Sequence, residues 1–152
     1  MTFREAVEAT PSVRNHYRAG LQALPTHDAA RIQCAVTRRL TGSINLDAAL
    51  RQQQPNANRW DFGIGYLRMT AERAIWVEVH PASSTSIVTM LAKLRWLRAW
   101  LATEAQELGK LTQGDFHWIS SDATIAITPN SRQAKQLAVV GLRGPARRLA
   151  LP

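Results

Sequence analysis

The chain has 152 residues, of which 45% are hydrophobic and 20% charged, with a formal net charge of +8. That length fits one domain, 1–152, able to bury about 70% of its unfolded surface, and the composition excludes a disordered segment. No apolar run approaches the roughly 20 residues that cross a bilayer, so no membrane role is expected. Cys34 is the single cysteine, which excludes an internal disulfide and points to the cytoplasm. The first residues carry Glu5 and Glu8 and no apolar signal core,.

In chain order, 1–55 reads as a mostly helical N-terminal part. Residues 2–24 are predicted helical in two pieces broken near Pro11, with Val13, Tyr17, Leu21 and Leu24 at helical spacing,. A new helix starts after Pro25. Residues 29–40 suit either a helix or an edge strand, and Asn45 to Leu50 reads as a short capped helix. A core of sheet and long helix follows over 56–128. Trp60 to Tyr66 and Ala74 to His80 alternate large apolar residues with polar or small ones, which predicts two strands. Ile87, Met90, Leu91, Leu94, Leu97 and Leu101 form the apolar stripe of a helix over about 85–107, ended by Gly109,. Phe116 to Ser120 and Thr124 to Thr128 read as two more strands. A basic helix and tail, 129–152, starts after Pro129 and closes at Gly141. Leu149 to Leu151 is a candidate last strand. This order defines an α/β (α+β) domain with a central mixed sheet flanked by helices.

The strand period of two places Asp61, Gly63 and Gly65 on one face of the first strand. It places Glu78 and His80 together on the second, so neighbouring strands can present all three polar side chains on one surface. The glycines leave room beside Asp61 for a bulky group. Two such carboxylates suit a hard cation, because Mg²⁺ is bound through one or two carboxylates plus waters and substrate phosphates. The same acids also fit ordinary polar positions paired with arginines. A Zn²⁺ set of Asp61, Glu78 and His80 has a weak ligand pattern.

This pattern of Asp61, then a strand carrying Glu78-Val79-His80, then a long helix, resembles the PD-(D/E)XK nuclease-like superfamily. There an acid on one strand is followed by acid-x-lysine on the next, within a core of helix, three strands, helix and strand. The likeness covers roughly 45–125. It implies a restriction-endonuclease-like core in which Asp61 and Glu78 hold Mg²⁺ or Mn²⁺ and a phosphodiester is hydrolysed. Two departures stand out: Trp60 replaces the proline before the first acid, and His80 stands where the lysine is expected. Lys93, on the following helix, is the substitute cation, and Glu5, Glu8 or Asp47 is the additional early acid of the pattern. A degenerate site that binds nucleic acid without cutting keeps the same core.

Sixteen of the nineteen basic residues are arginine, and no acid follows Ala123. Arg132, Lys135, Arg143, Arg147 and Arg148 crowd that stretch. A cationic surface of this kind favours nucleic acid over a solvated surface alone, with Arg143, Arg147 and Arg148 as the contacts. Trp96 and Trp100 follow Lys93 around the long helix. They read as packing residues, with stacking on unpaired bases or a subunit interface as alternatives. Asp61-Phe62-Gly63 matches the kinase metal tripeptide, but no glycine-rich or catalytic loop accompanies it. The expectation is a nuclease-like, nucleic-acid-binding protein, and a homodimer if it is sequence-specific. A catalytically inactive binding or interaction module is the alternative.

Overall fold

A computed structural model describes residues 1–122 and 124–152. Helix α1 (Phe3–Glu8) is capped by the Thr2 hydroxyl, which accepts from the Glu5 amide. Then come α2 (Thr26–Ala29), β1 (Ile32–Cys34), a 3₁₀ turn over Thr37–Arg39, and β2 (Leu40–Asn45). Helix α3 (Leu46–Leu50) follows, with Asn45 capping the Ala48 amide. Strands β3 (Phe62–Arg68) and β4 (Ala71–His80) form a hairpin. Helix α4 (Ser86–Thr103), α5 (Gln106–Lys110) and β5 (Phe116–Ser120) come next. The chain closes with α6 (Arg132–Val140), β6 (Leu142–Ala146) and β7 (Leu149–Leu151).

The main sheet has the order β2-β3-β4-β5-β6. Strands β2, β3 and β4 form an antiparallel meander, while β4, β5 and β6 run parallel. Parallel neighbours need a crossover; α4 supplies one and α6 the other. One sheet face, with Ile44, Ala74, Trp76, Phe116 and Trp118, packs under α1, α4 and α6. The other face, with Phe62, Ile64, Tyr66, Ile75, Val77 and Ile119, packs against Leu24, Ile32 and Leu151. The last two belong to a separate parallel pair, β1 with β7. The fold is therefore mixed α/β with a five-stranded central sheet flanked by helices, as the element order implies.

Several local expectations are corrected. Residues 9–24 form turns, not a second helix, because the helical spacing there serves two different contacts. Val13 enters the core beside α1, while Leu24 joins the opposite sheet face. The N-terminal part also supplies β1 and β2, so it is less helical than its pattern suggests. Residues 124–128 hold no strand: Ile127 is buried, and the Ala126 amide donates to Ala82 O, outside the sheet. The long helix stops at Thr103, and Gly109 lies inside α5. Trp60 precedes the paired residues of β3 and packs on the helix side, opposite to Phe62.

The space beside Gly63 and Gly65 is filled from within. A Cβ at Gly63 would lie 2.6 Å from the Trp76 ring, and one at Gly65 would lie 2.6 Å from Phe3 Cγ. These glycines admit core aromatics, not an approaching ligand.

Candidate active site

Asp61 lies immediately before β3, and Glu78 lies near the end of β4. Phe62 pairs with Val77, so the residue before one meets the residue after the other. Two hydrogen bonds lock the crossing. The Asp61 amide donates to Glu78 Oε1 at 3.0 Å, and the Val79 amide donates to Asp61 Oδ2 at 3.0 Å.

Lys93 reaches the pair from the middle of α4. Its Nζ donates to Glu78 Oε2 at 2.7 Å and to Arg59 O at 3.2 Å. The Glu78 side chain is 1% exposed and the Lys93 side chain 17%. Burial pushes the Glu78 carboxyl well above its ordinary range, and the neighbouring Asp61 charge adds to this; Lys93 opposes both. Asp61 is also raised, chiefly by burial, against the pull of Lys93 and the Val79 amide. The result is a buried acid, Glu78, paired with a half-buried Lys93, beside a second acid, Asp61, that feels the same cation.

His80 faces the same pair, with Nδ1 3.9 Å from Glu78 Oε2. Burial first, then the Lys93 charge, lowers its pKa, against Asp122. The imidazole is therefore neutral at neutral pH, able to accept a proton but not to act as the fixed cation. The period of two thus brings Asp61, Glu78 and His80 together, and the helix adds Lys93.

Among the early acids, Asp47 is the one near this cluster. Its charge raises Asp61, and the amide of its neighbour Leu46 donates to Asp61 O at 2.8 Å. Asp47 itself is held by Arg51 Nη2 at 2.9 Å and Arg59 Nε at 3.0 Å. Glu8 pairs with Arg4 on the surface, and Glu5 lines a cavity beside the β3–β4 turn, at the far end of the hairpin. Sequence reasoning missed Arg59, which ties Asp47 with its side chain and Lys93 with its carbonyl. The available signal was a cation two residues before Asp61.

Among the described residues, no three His, Cys, Asp or Glu side chains gather as metal ligands. The Zn²⁺ set of Asp61, Glu78 and His80 is therefore not assembled. A hard cation is held by one or two carboxylates plus waters and substrate oxygens; here both Glu78 oxygens already accept, from the Asp61 amide and from Lys93, and among the described residues Asp61 Oδ1 is the one oxygen of the pair without a hydrogen bond.

The predicted arginine contacts separate. β6 runs parallel to β4 and β5, so Arg147 and Arg148 follow its carboxyl end, on the side of the sheet where His80 ends β4. Both are exposed. Arg143 lies earlier, level with His117, and its Nη1 is 3.6 Å from Asp115 Oδ1. Four of the five tryptophans are buried in the core around α4, and Trp96 is half-buried. Trp100 meets Trp76 edge-on at 6.2 Å. Arg98, exposed on α4, lies over the Phe116 ring at 5.1 Å and donates to Val140 O, at the end of α6.

No family model matches the chain, and no curated protein or solved structure shows significant similarity to it. The described residues contain no helix long and apolar enough to cross a membrane.

Proposed function

We propose that the chain is a nuclease-like, nucleic-acid-binding protein whose Asp61–Glu78–Lys93 cluster hydrolyses phosphodiesters with a divalent cation. The observation that carries this reading is the buried Glu78–Lys93 pair at 2.7 Å, fixed against Asp61 at one end of the sheet. Removing two charges from water costs several kcal/mol per ion even after relaxation, and a perturbed cluster of this kind is a candidate functional site. The resemblance drawn from the sequence is supported by the meander, crossover helix and parallel strand, although α3 separates β2 from β3, and Lys93 stands in place of the strand lysine.

Asp61 and Glu78 would hold Mg²⁺ or Mn²⁺; such an ion polarises a phosphoryl oxygen and acidifies water. Lys93 contributes a fixed positive charge for the non-bridging phosphate oxygens, which stabilises charge developing at phosphorus. Neutral His80 accepts the proton that the attacking water loses as its oxygen bonds to phosphorus, and the ester P–O bond breaks with the leaving alkoxide taking a proton from solvent. Arg147 and Arg148 draw the polyanion to this edge.

Cleavage of single- or double-stranded DNA or RNA in Mg²⁺, abolished by Asp61→Asn and by Glu78→Gln in folded protein, is the expected result. Wild-type protein that cleaves none of these substrates in Mg²⁺ or Mn²⁺ overturns the catalytic reading.

Binding without cleavage is the second reading. It is favoured by the near-complete burial of Glu78 and by the capture of Asp47 in two arginine contacts. It predicts salt-sensitive retention of nucleic acid that survives both substitutions. A homodimer is expected under either reading if recognition is sequence-specific, and light scattering tests it.

A further inference from the structure

A second cleft opens on α4 directly beyond Lys93, and it is lined by Gln54, Trp96, Ala99, Trp100, Thr103 and Glu104, with a volume of about 190 Å³. Trp96 is the tryptophan that keeps part of its surface outside the core. It lies three residues after Lys93, less than one turn along the same helix. Two contacts hold its ring. It lies nearly parallel to Trp100, at 10° and 6.1 Å between centroids, and its Nε1 donates to Gln54 Oε1 at 2.9 Å. The ring is thus pre-set and not free to swing.

The rim of the cleft keeps one unused polar group. Trp100 is 3% exposed and contributes only apolar ring surface, since its Nε1–H is buried. Glu104 is exposed and forms no ion pair among the described residues, which leaves an acceptor at the rim. An acidic rim repels a phosphate and accepts an exocyclic amino group. An aromatic wall beside an acceptor matches the face of a nucleobase and the amino group on its edge.

We infer that this cleft receives one unpaired base of a single-stranded DNA or RNA segment whose phosphate lies against Lys93. A base inside a duplex cannot enter it without leaving the stack. The inference rests on the nucleic-acid reading above and narrows its substrate to strands with an exposed base. Glu104 favours bases that carry an amino group, cytosine, adenine or guanine, over thymine or uracil.

The test uses full-length protein without divalent metal, so that binding is read apart from cleavage. Fluorescence anisotropy follows a labelled single-stranded oligodeoxycytidine, its ribo counterpart, oligothymidine, and an abasic strand of equal length and charge. The deoxy and ribo strands separate DNA from RNA as the source. The expected result is that base-bearing strands bind about tenfold more tightly than the abasic strand, the scale of one stacked base. Trp96→Ala removes that difference, and Glu104→Gln narrows the preference of cytosine over thymine. Ala99→Leu fills the cleft from an exposed helix position and has the same effect as Trp96→Ala, which serves if Trp96→Ala fails to fold. Equal affinity for base-bearing and abasic strands overturns the cleft while leaving nucleic-acid binding intact. A difference that persists in Ala99→Leu also overturns it. Absence of binding to every strand overturns both readings.

Discussion

The decisive residue-level feature is that Glu78 and Asp61 are both pushed toward their protonated forms while Lys93 holds them. An acid whose pKa is higher folded than unfolded binds more protons in the native state. Stability therefore falls as pH rises from the unfolded value, near 4.5 for Glu78, through the higher folded one. Glu78→Gln removes this titration, so its stability relative to wild type should improve as pH rises through that window. Urea unfolding at a series of pH values checks the sign. Lys93→Met leaves a buried acid without its cation, a change that costs about 3–5 kcal/mol when the remaining charge cannot be relieved. Here Glu78 can take up a proton, so the loss should approach about 3 kcal/mol above neutrality and shrink toward pH 5. A loss that does not vary with pH would show that the pair is not buried as described. Asp47 behaves in the opposite sense: its arginine partners lower it despite burial, so its contribution is lost as pH falls.

At the scale of elements, the hairpin β3–β4 depends on two absent side chains. The Trp76 ring and Phe3 occupy the volume over Gly63 and Gly65, and this seats α1 and the tryptophan layer directly on the sheet. Overpacking a well-filled core costs about 1–3 kcal/mol. Gly65→Ala should lose that much, because its Cβ would collide with Thr41 Oγ1 as well as Phe3. Chemical denaturation measures the loss, and an unchanged midpoint would mean that α1 shifts freely. The same packing matters to the site. The hairpin register sets Asp61 against Glu78, and α4 delivers Lys93 only while its buried face, Met90, Leu94 and Leu97, stays on Trp76 and Trp118.

Over the whole molecule, charge is distributed by sheet polarity. Three parallel strands end on one side of the sheet, so Arg147 and Arg148 follow the carboxyl end of β6 as His80 closes β4, two strands away, whereas Arg143 lies 3.6 Å from Asp115. Charge reversal at Arg147 and Arg148 should therefore weaken nucleic-acid binding more than reversal at Arg143. It should also reduce the slope of log K against log salt by about 0.7–0.9 for each phosphate that is no longer neutralised. Titrations between about 50 and 200 mM salt read this directly. Equal effects at all three positions would mean that the basic tail binds as a diffuse surface.

Local signals alone determined much of this. Alternation in 62–66 and 74–80 is a property of the strand period, so the shared face of Asp61, Glu78 and His80 follows from the residues themselves. Asn45, Ser131 and Gly141 mark helix ends because caps are local hydrogen-bonding problems, and the structure uses each of them. Tertiary structure decided the rest. Leu40-Thr41-Gly42-Ser43 becomes strand only because β3 pairs with it. Thr124 to Thr128 resembles a strand but finds no partner in the sheet. The role of Lys93 and the capture of Asp47 by Arg59 depend on how α4 and the loop before β3 pack against the sheet. Contacts between residues distant in sequence carry no periodic signature, so pattern gives the faces while packing decides which groups meet.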